Sequence, residues 1–391
     1  MSIVIQKYGG TSVGSVERMR HVADLIIAER NAGHKVAVVV SAMAGATNQL
    51  VKSANQFSNA PGTPAYDFIV STGENVSCGM LALALAEKGV KAMPLSGWQV
   101  PIHTNNLYSK ARIEKIHTLY IQKLLSDGIV PVVAGFQGLS HDHTITTLGR
   151  GGSDTSAVAL AAALNAGRCD IYTDIDGIYT ADPRVVVSAQ FIPTISYSTA
   201  LQMASLGTKI IHPRAVKSGM EFKVPLRILS SFGSDKFTAL TDDLTNSGVV
   251  GISHIGESVI LETDLSGPQT TLLHTILENL NHHDIPYDII NHTSKHLQLS
   301  VELSDESATK NILTNLGVAF IPHHYAKVSA VGNITKQNID SAINAFNAAN
   351  IFIYSNVHDN RRLTLFVPLN LMEAAINILH DTFFESATKK D

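Results

Sequence analysis

The sequence predicts an α/β protein in which a largely parallel sheet lies between helix layers and is followed by two smaller α+β units. Short β-branched runs alternate with helical patterns over roughly the first 230 residues, which is typical of a parallel sheet covered on both faces. A polar stretch, residues 233–248, then interrupts the alternation and reads as a linker. Beyond it, a weak βαββα pattern occurs twice.

The alternating region predicts one domain, residues 1–232, before the linker at 233–248. Helical stretches follow Gly14, Thr47, Thr63, Ser109 and Ser153. The predicted strands are residues 3–8, 36–41, 129–134, 169–173 and 226–229.

The repeat predicts two further ferredoxin-like units, residues 249–324 and 325–391, with exchange of strands between them as one option. Two unrelated α+β halves are the alternative interpretation. In the first unit the elements are 259–261, a helix through 277–280, 288–291, 297–301 and 304–316. In the second they are 328–331, a helix through 343–346, 351–354, 363–367 and 371–380.

Composition restricts the function classes. The chain has 391 residues with 29 basic and 33 acidic side chains and no basic stripe, so a nucleic-acid partner is not expected. Its longest apolar stretches, such as 157–164, are shorter than the ~20 residues that span a membrane, and residues 1–7 do not resemble a signal peptide. Two isolated cysteines, Cys78 and Cys169, fit a reducing compartment. A soluble cytoplasmic protein is expected.

The first motif that carries chemistry is Lys7-Tyr8-Gly9-Gly10-Thr11-Ser12, where a predicted strand ends in two glycines before a helix. Paired glycines let a ligand approach the backbone, helix N-terminal N–H groups attract phosphate, and Lys7 adds a positive charge. An ordinary tight connection is the alternative. The common GxxxxGK[ST] loop and the protein-kinase motifs do not occur.

The second motif, Gly149-Arg150-Gly151-Gly152-Ser153-Asp154, precedes an alanine-rich helix. Its glycines expose backbone N–H groups, and the Arg150 guanidinium suits a carboxylate or a phosphate. Ser153 or Asp154 alone can be a plain helix N-cap. That reading does not explain an arginine between glycines.

A third group is acidic and then basic. Thr173-Asp174 ends a predicted strand and leads through Tyr179 to Asp182-Pro183-Arg184. Lys209 follows a glycine at a helix end, shortly before His212-Pro213-Arg214. A structural acidic turn and a solvated lysine are the alternatives here.

Taken together, these motifs closely resemble aspartate kinases of the amino-acid kinase superfamily over essentially the whole chain. The C-terminal repeat resembles the paired ACT domains that these kinases carry as amino-acid sensors. The motifs that carry the resemblance are Lys7, residues 41–48, Ser71-Thr72-Gly73-Glu74, the Arg150 loop, residues 174–184 and Lys209.

The resemblance implies ATP-dependent conversion of L-aspartate to 4-phospho-L-aspartate, the first step towards lysine, threonine, methionine and diaminopimelate. The substrate carboxylate has a pKa of about 4, so it is already ionised and needs no general base. Catalysis then depends on alignment and on cations beside the phosphoryl group. Magnesium is expected to bind through ATP, and no protein ligand is assigned to it.

The resemblance also implies roles for individual residues. Lys7 is expected at the phosphoryl group and Asp154 is expected to orient the lysines. The substrate contacts are Arg150 to the α-carboxylate, Glu74 to the amino group, and Thr47 and Ser153 as further polar contacts. The ATP contacts are Lys7, Gly9, Gly10, Thr173, Asp174, Tyr179, Arg184 and Lys209, with Lys209 also catalytic.

The C-terminal repeats depart from the family pattern at the turn 264–268, at His292-Thr293 and at Val331-Gly332-Asn333. Weak or absent inhibition by lysine and threonine is therefore expected, and the effector is left open. The repeats are still expected to form a homodimer, supported by apolar strand faces at Val328, Ala330, Leu363 and Leu365.

Two competing functions remain. One is an amino-acid kinase for a different carboxylate or a related substrate, and ACT-like repeats disfavour most such kinases. The other is a catalytically inactive amino-acid sensor. The presence of Lys7, Glu74, Arg150, Asp154 and Lys209 argues against the second alternative.

Overall fold

The computed structural model describes residues 2–57, 62–208, 211–242, 248–265, 269–283, 285–293 and 295–385. The chain forms two compact units. The first comprises residues 1–178, 191–205 and 209–244, and the second comprises 179–190, 206–208 and 245–391. Residues 179–190 and 206–208 group with the second unit, although the sequence prediction assigns them to the first domain. The first unit also continues beyond residue 232, where that domain was predicted to end.

The first unit is built on an eight-stranded sheet in the order β12-β14-β13-β9-β1-β2-β6-β3. Neighbouring strands are parallel except β13 and β14. A second, four-stranded sheet has the order β5-β4-β7-β8. The strands up to residue 241 are β1 (Ile3–Tyr8), β2 (Lys35–Val40), β3 (Ala92–Leu95), β4 (Ile102–Thr104), β5 (Ile113–Ile116), β6 (Val130–Ala134), β7 (Gln137–Leu139), β8 (Ile145–Thr147), β9 (Arg168–Thr173), β10 (Ile178–Tyr179), β11 (Phe191–Ile192), β12 (Thr194–Ser196), β13 (Leu226–Ser230) and β14 (Phe237–Thr241).

Eight helices of the described residues belong to this unit. Local caps fix several of their starts: the Ser15 hydroxyl accepts the Arg18 N–H at 3.2 Å, and Thr63 caps a helix that begins with proline. The helix predicted after Ser109 begins only at Leu119, because β5 comes first. The helices are α1 (Val16–Asn31), α2 (Ala46–Ala54), α3 (Pro64–Val70), α4 (Thr72–Glu87), α5 (Leu119–Ser126), α6 (Gly152–Ala163), α7 (Tyr197–Ser205) and α8 (Pro213–Glu221).

Helix α4 packs with α1 on the central sheet. Leu81 and Leu85 are fully buried in the core that also contains Met19 and Val22. Residues 64–87 are long and apolar enough to span a membrane by length and composition alone, but 56% of the tested window is buried inside the protein. A core helix of a globular domain has these properties, and we interpret α4 as one.

The second unit contains a six-stranded antiparallel sheet in the order β16-β17-β15-β18-β20-β19. The strand predicted at 351–354 is wrong in position, because Ile351 is buried in the core and the strand starts at Ser355. The elements are β15 (Val249–Asp264), α9 (Gln269–His282), β16 (Tyr287–His292), β17 (His296–Glu302), α10 (Glu306–Asn315), β18 (Phe320–Gly332), α11 (Lys336–Ala348), β19 (Ser355–His358), β20 (Arg362–Val367) and α12 (Met372–His380).

The two repeats of the second unit share their long central strands. Strand β15 pairs with β17 from Ser258 onwards and with β18 on both sides of a register shift between Ile255 and Ser258. The other end of β18, from Ala326, pairs with β20. Each repeat therefore contains part of both long strands, as expected for exchanged strands.

The apolar strand faces predicted to support a dimer are not available for one. Val328, Ala330, Leu363 and Leu365 are all fully buried in the core of the second unit with Phe346. They pack within the chain, so their assignment as partner-packing faces is wrong. Dimer formation itself remains a prediction.

Candidate active site

The predicted site residues of the first unit lie mainly at one edge of its central sheet. Parallel strands β1, β2, β6 and β9 are adjacent, so their carboxyl ends lie at the same edge. Lys7 is near the end of β1 and Thr173 is the last residue of β9. This edge is where ligands bind in open α/β sheets.

Lys7 and Asp154 form an ion pair that joins β1 to the first turn of α6. Lys7 Nζ lies 2.6 Å from Asp154 Oδ1, and the two side chains are only 11% and 13% exposed. A Cβ added to Gly9 would make ordinary van der Waals contact with Lys7 Nζ at 3.5 Å, so Gly9 lies directly beside the ammonium. The pair therefore fixes the Lys7 ammonium at the sheet edge, with its charge balanced by Asp154.

Gly10 brings two loops of this edge into close contact. A Cβ at Gly10 would lie 2.7 Å from the Ala42 carbonyl oxygen, which is too close for any other residue without a shift of backbone. The Ala44 N–H donates to the Gly10 carbonyl at 3.2 Å. The glycine pair that follows β1 thus packs directly on the loop that follows β2.

Glu74 is a buried carboxylate in the first turn of α4. It is 3% exposed, and its Oε1 accepts the Ala42 N–H at 3.1 Å. Its Oε2 is buried and has no hydrogen-bond partner within the part of the chain that the structure describes. Burial raises the pKa of Glu74 to about 7, although the Ala42 hydrogen bond lowers it. Such a carboxylate is suited to receive a cationic group.

Thr47 lies next to the start of the same helix. A Cβ at Gly73 would be 3.9 Å from Thr47 Oγ1 and 2.8 Å from Ala42 Cβ. Thr47 and Glu74, which are far apart in sequence, therefore approach the same loop.

The Arg150 loop has the backbone that its glycines predict. Gly149 and Gly151 both have positive φ, +75° and +65°, and Gly151 is the N-cap of α6. Arg150 between them is exposed. Ser153 is 8% exposed and packs on Gly135, whose added Cβ would lie 2.7 Å from Ser153 Cβ.

His212 shows that the charges of this edge act on one another. Burial lowers the pKa of the imidazole, Asp154 raises it, and Arg214 and Arg150 lower it further. The His212-Pro213-Arg214 motif is visible in the sequence without an assigned role. Asp67 was not predicted, and its only signal is a carboxylate within the otherwise apolar helix α3.

The predicted nucleotide residues are only partly brought together. The Thr173 hydroxyl donates to Asp174 Oδ1 at 3.0 Å, and Asp174 is exposed at the sheet edge. Tyr179 and Arg184 fall in the segment that groups with the second unit, where Arg184 pairs with Asp182 at 2.7 Å. Lys209 lies outside the described residues, so its position is not part of the site above.

Magnesium prefers oxygen ligands. The described ranges contain no group of three or more His, Cys, Asp or Glu side chains that fits a metal ion. The departures noted in the C-terminal repeats are also only partly described. Residues 266–268 lie outside the described ranges, and His292 is exposed on the edge strand β16.

The parallel sheet and the charged groups at its edge define a class of protein. Residues 2–230 match the sequence model of the amino acid kinase family. Over 98% of its length the chain is 39% identical to the aspartokinase of Geobacillus stearothermophilus and to aspartokinase 2 of Bacillus subtilis, covering 97% and 98% of those proteins. Within the amino acid kinase family, the chain belongs to the aspartokinases.

Solved structures agree with this assignment. Escherichia coli aspartokinase III in complex with aspartate and ADP superposes with a TM-score of 0.85 at 25% identity, with 98% of this chain and 100% of that chain covered. The predicted fold class, a largely parallel sheet followed by α+β units, is confirmed.

Proposed function

We propose that this chain transfers the γ-phosphoryl group of ATP to the side-chain carboxylate of L-aspartate, giving 4-phospho-L-aspartate and ADP. The observation that carries the proposal is the Lys7–Asp154 ion pair at the carboxyl edge of the parallel sheet. Membership of the aspartokinases, and the ADP and aspartate bound by the Escherichia coli enzyme, support the choice of nucleotide and substrate.

The chemistry needs alignment more than proton transfer. An oxygen of the substrate carboxylate attacks the γ-phosphorus, a new P–O bond forms, and the bond to the β–γ bridging oxygen breaks as ADP leaves. Lys7 stabilises the negative charge that is redistributed in this step, and Asp154 fixes the direction of the lysine. Magnesium, if it binds with ATP, would supply further positive charge.

The substrate is held by charges of both signs. The exposed Arg150 guanidinium binds the α-carboxylate, because its fork matches a carboxylate in geometry. Glu74 Oε2, which has no hydrogen-bond partner among the described residues, receives the α-amino group, and Thr47 and Ser153 add polar contacts. These groups place the β-carboxylate in line with the phosphoryl group.

For the nucleotide, we propose that Gly9 and Gly10 approach the phosphates. The Gly9 N–H already donates to the Tyr172 carbonyl at 3.3 Å, so Gly9 contributes space rather than a donor. The other ATP contacts proposed are Thr173, Asp174, Tyr179, Arg184 and Lys209.

We further propose that the second unit is a pair of ACT-like domains that mediates a homodimer of a cytoplasmic enzyme. The shared β15 and β18 strands and the helices on the sheet support this reading. The reaction would open the pathway to lysine, threonine, methionine and diaminopimelate. Weak inhibition by lysine and threonine remains a prediction.

The test is ADP release with magnesium, coupled to trapping of the acyl phosphate by hydroxylamine. Turnover should require L-aspartate, and L-glutamate should be about 100-fold poorer, because its extra methylene moves the carboxylate by ~1 Å or more from the aligned position. Equal turnover of the two amino acids would contradict aspartate as the substrate. No turnover with either would contradict the kinase activity.

A further inference from the structure

We propose that Asp67 and Arg214 are positioning residues that fix the shape of the Arg150 loop, residues 148–151, and so determine the affinity for aspartate. The inference rests on the proposed function, in which Arg150 binds the α-carboxylate. Neither residue is placed in contact with the substrate. Each holds one flank of the loop.

Asp67 is a carboxylate with 0% exposure, and its hydrogen bonds hold two segments that are distant in sequence. It accepts the Ser109 N–H at 2.8 Å and the Ser109 hydroxyl at 3.0 Å. It also accepts the Thr147 N–H at 2.7 Å and the Thr147 hydroxyl at 3.0 Å. Burying a carboxylate is costly unless it is hydrogen-bonded, so these four donors determine where Thr147 can lie.

The Ser109 backbone in turn packs against the loop. Ser109 has a φ of +64°, an unfavourable conformation for a serine that its hydrogen bonds to Asp67 help to hold. A Cβ added to Gly149 would lie 2.8 Å from the Ser109 carbonyl oxygen. Asp67 thus fixes the residue before the loop, Thr147, and the residue that packs on Gly149.

Arg214 holds the same loop from α8. One guanidinium nitrogen donates to the Leu148 carbonyl at 2.6 Å, and another donates to the Ala111 carbonyl at 3.1 Å. A guanidinium can reach two carbonyls at once because its donors diverge from one planar group. Leu148 is itself fully buried. The second clamp therefore fixes the first residue of the loop.

The far side of the loop packs on the start of α8. A Cβ at Gly151 would lie 2.1 Å from His212 Cγ, so the imidazole rests against the glycine backbone. His212 Nδ1 accepts the Arg214 N–H at 3.3 Å and caps α8. Arg150 consequently projects from a backbone that is fixed at Thr147, Leu148, Gly149 and Gly151.

A displacement of this backbone should move Arg150, which belongs to the loop, more than Lys7, which lies on β1. Since a shift of ~1 Å in a bound group can cost on the order of 100-fold, loosening the clamp should raise the KM for aspartate by about 10- to 100-fold. The KM for ATP should change less than about twofold, because no clamp residue is proposed to hold the nucleotide.

The experiment uses the full chain and three variants. Asp67→Asn replaces an acceptor with a donor that faces donors. Arg214→Lys leaves one point donor for two carbonyls. Thr147→Val removes only one hydroxyl. It is the milder variant and replaces Asp67→Asn in the experiment if Asp67→Asn does not fold. For each, the KM values for aspartate and ATP, kcat, and the rise in Tm with added L-aspartate are measured, the last being a readout independent of turnover.

Two matched controls separate positioning from simple loss of stability. Asp170→Asn alters another fully buried carboxylate, which pairs with Arg227 at 2.7 Å. Arg30→Lys alters another arginine bound to a carbonyl, that of Gly128 at 3.0 Å. Both controls should leave the KM for aspartate within about twofold.

The inference is supported if the KM for aspartate rises selectively and the Tm shift with aspartate shrinks in Arg214→Lys and in Asp67→Asn or Thr147→Val. Folded variants with an unchanged KM for aspartate would overturn it, and so would equal increases in both KM values. If the unmodified chain gives no aspartate-dependent product, the proposed function itself has failed, which is a different outcome.

Discussion

Each unit of this protein buries a carboxylate beside a lysine, but the two carboxylates have different surroundings. In the first unit, Asp154 meets Lys7 at 2.6 Å at the open edge of a parallel sheet. In the second, Asp288 is held between Lys327 at 2.5 Å and Arg362 at 2.7 Å, which lie on strands of an antiparallel sheet. The Lys7–Asp154 pair lies at the proposed ligand site, whereas Asp288 is paired with two cations of its own unit.

The difference is visible in how burial affects the carboxyl groups. Burial raises the pKa of Asp288, but Lys327 and Arg362 outweigh it and hold the pKa below its ordinary value. In the first unit, burial raises the pKa of Glu74 to about 7 because backbone hydrogen bonds from Ala42 and from Glu74 itself do not compensate it. A buried carboxylate that is paired with cations of its own chain stabilises the fold, whereas a buried carboxylate without such a partner can bind a ligand.

The largest effect expected from this comparison is on stability. Asp288→Asn leaves Lys327, whose side chain is 8% exposed, without its charged partner. Removing one partner of a buried ion pair typically costs ~3–5 kcal/mol. We expect the free energy of unfolding of the second unit to fall by that amount, as measured by urea titration with near-UV dichroism of the stacked Tyr325–Tyr354 pair.

The matched control is Asp359→Asn, because Asp359 also pairs with Arg362 but is 53% exposed and 3.7 Å away. It should change stability by less than ~1 kcal/mol. Similar effects of the two substitutions on stability would show that the buried ion pairs of Asp288 do not stabilise the second unit.

The next effect concerns Glu74 and pH. The unfolded chain ionises this carboxyl near its ordinary pKa of 4.5, whereas the folded protein retains the proton up to about pH 7. Stability without substrate therefore falls as the pH rises through this interval, by roughly 3 kcal/mol in total. Glu74→Gln stays neutral, so it should be more stable than the parent at pH 8 and about equal to it near pH 4.5.

Urea titrations of the two proteins at both pH values provide the measurement, without ligand. The ionisation of Glu74 also predicts that the KM for aspartate of the parent is lower at pH 8 than at pH 6, since the substrate ammonium binds the ionised carboxylate. In Glu74→Gln the KM should be higher and nearly independent of pH. A stability difference that is the same at both pH values would contradict the buried, undercompensated carboxylate.

Much of the fold follows from local sequence patterns. The predicted strand at residues 3–8 coincides with β1, and the two glycines that follow it form the turn their sequence indicates. The glycines around Arg150 were predicted only to expose backbone N–H groups, and the structure adds that Gly149 and Gly151 have positive φ, which glycine adopts readily. These features depend on residues close in sequence.

The features that the sequence did not reveal depend on distant residues. Asp67 contacts Ser109 and Thr147, which are 42 and 80 positions away, so no local pattern marks it as a loop clamp. Strand exchange in the second unit was predicted, but the register of β15 on β18, with its shift between Ile255 and Ser258, was not. The predicted strand 351–354 failed because Ile351 and Ile353 pack into the core of the second unit before the strand begins at Ser355, whereas Phe352 is exposed.

The central claim is a division of labour at the sheet edge: Lys7 acts on the transferring phosphoryl group, and Arg150 holds the amino acid. The direct test is rapid-quench single turnover of Lys7→Met and Arg150→Ala at saturating ATP and magnesium, over a range of L-aspartate concentrations. Lys88→Met is the control, because Lys88 also pairs with a carboxylate, Asp24 at 2.7 Å, but on the surface.

In Lys7→Met, we expect the rate constant at saturating aspartate to fall ~100- to 1,000-fold, with the half-saturating concentration within a few-fold of the parent. In Arg150→Ala, the half-saturating concentration should rise and the maximal rate constant should change much less. Lys88→Met should match the parent in both. A Lys7→Met enzyme whose maximal rate constant stays within a few-fold of the parent would contradict the account.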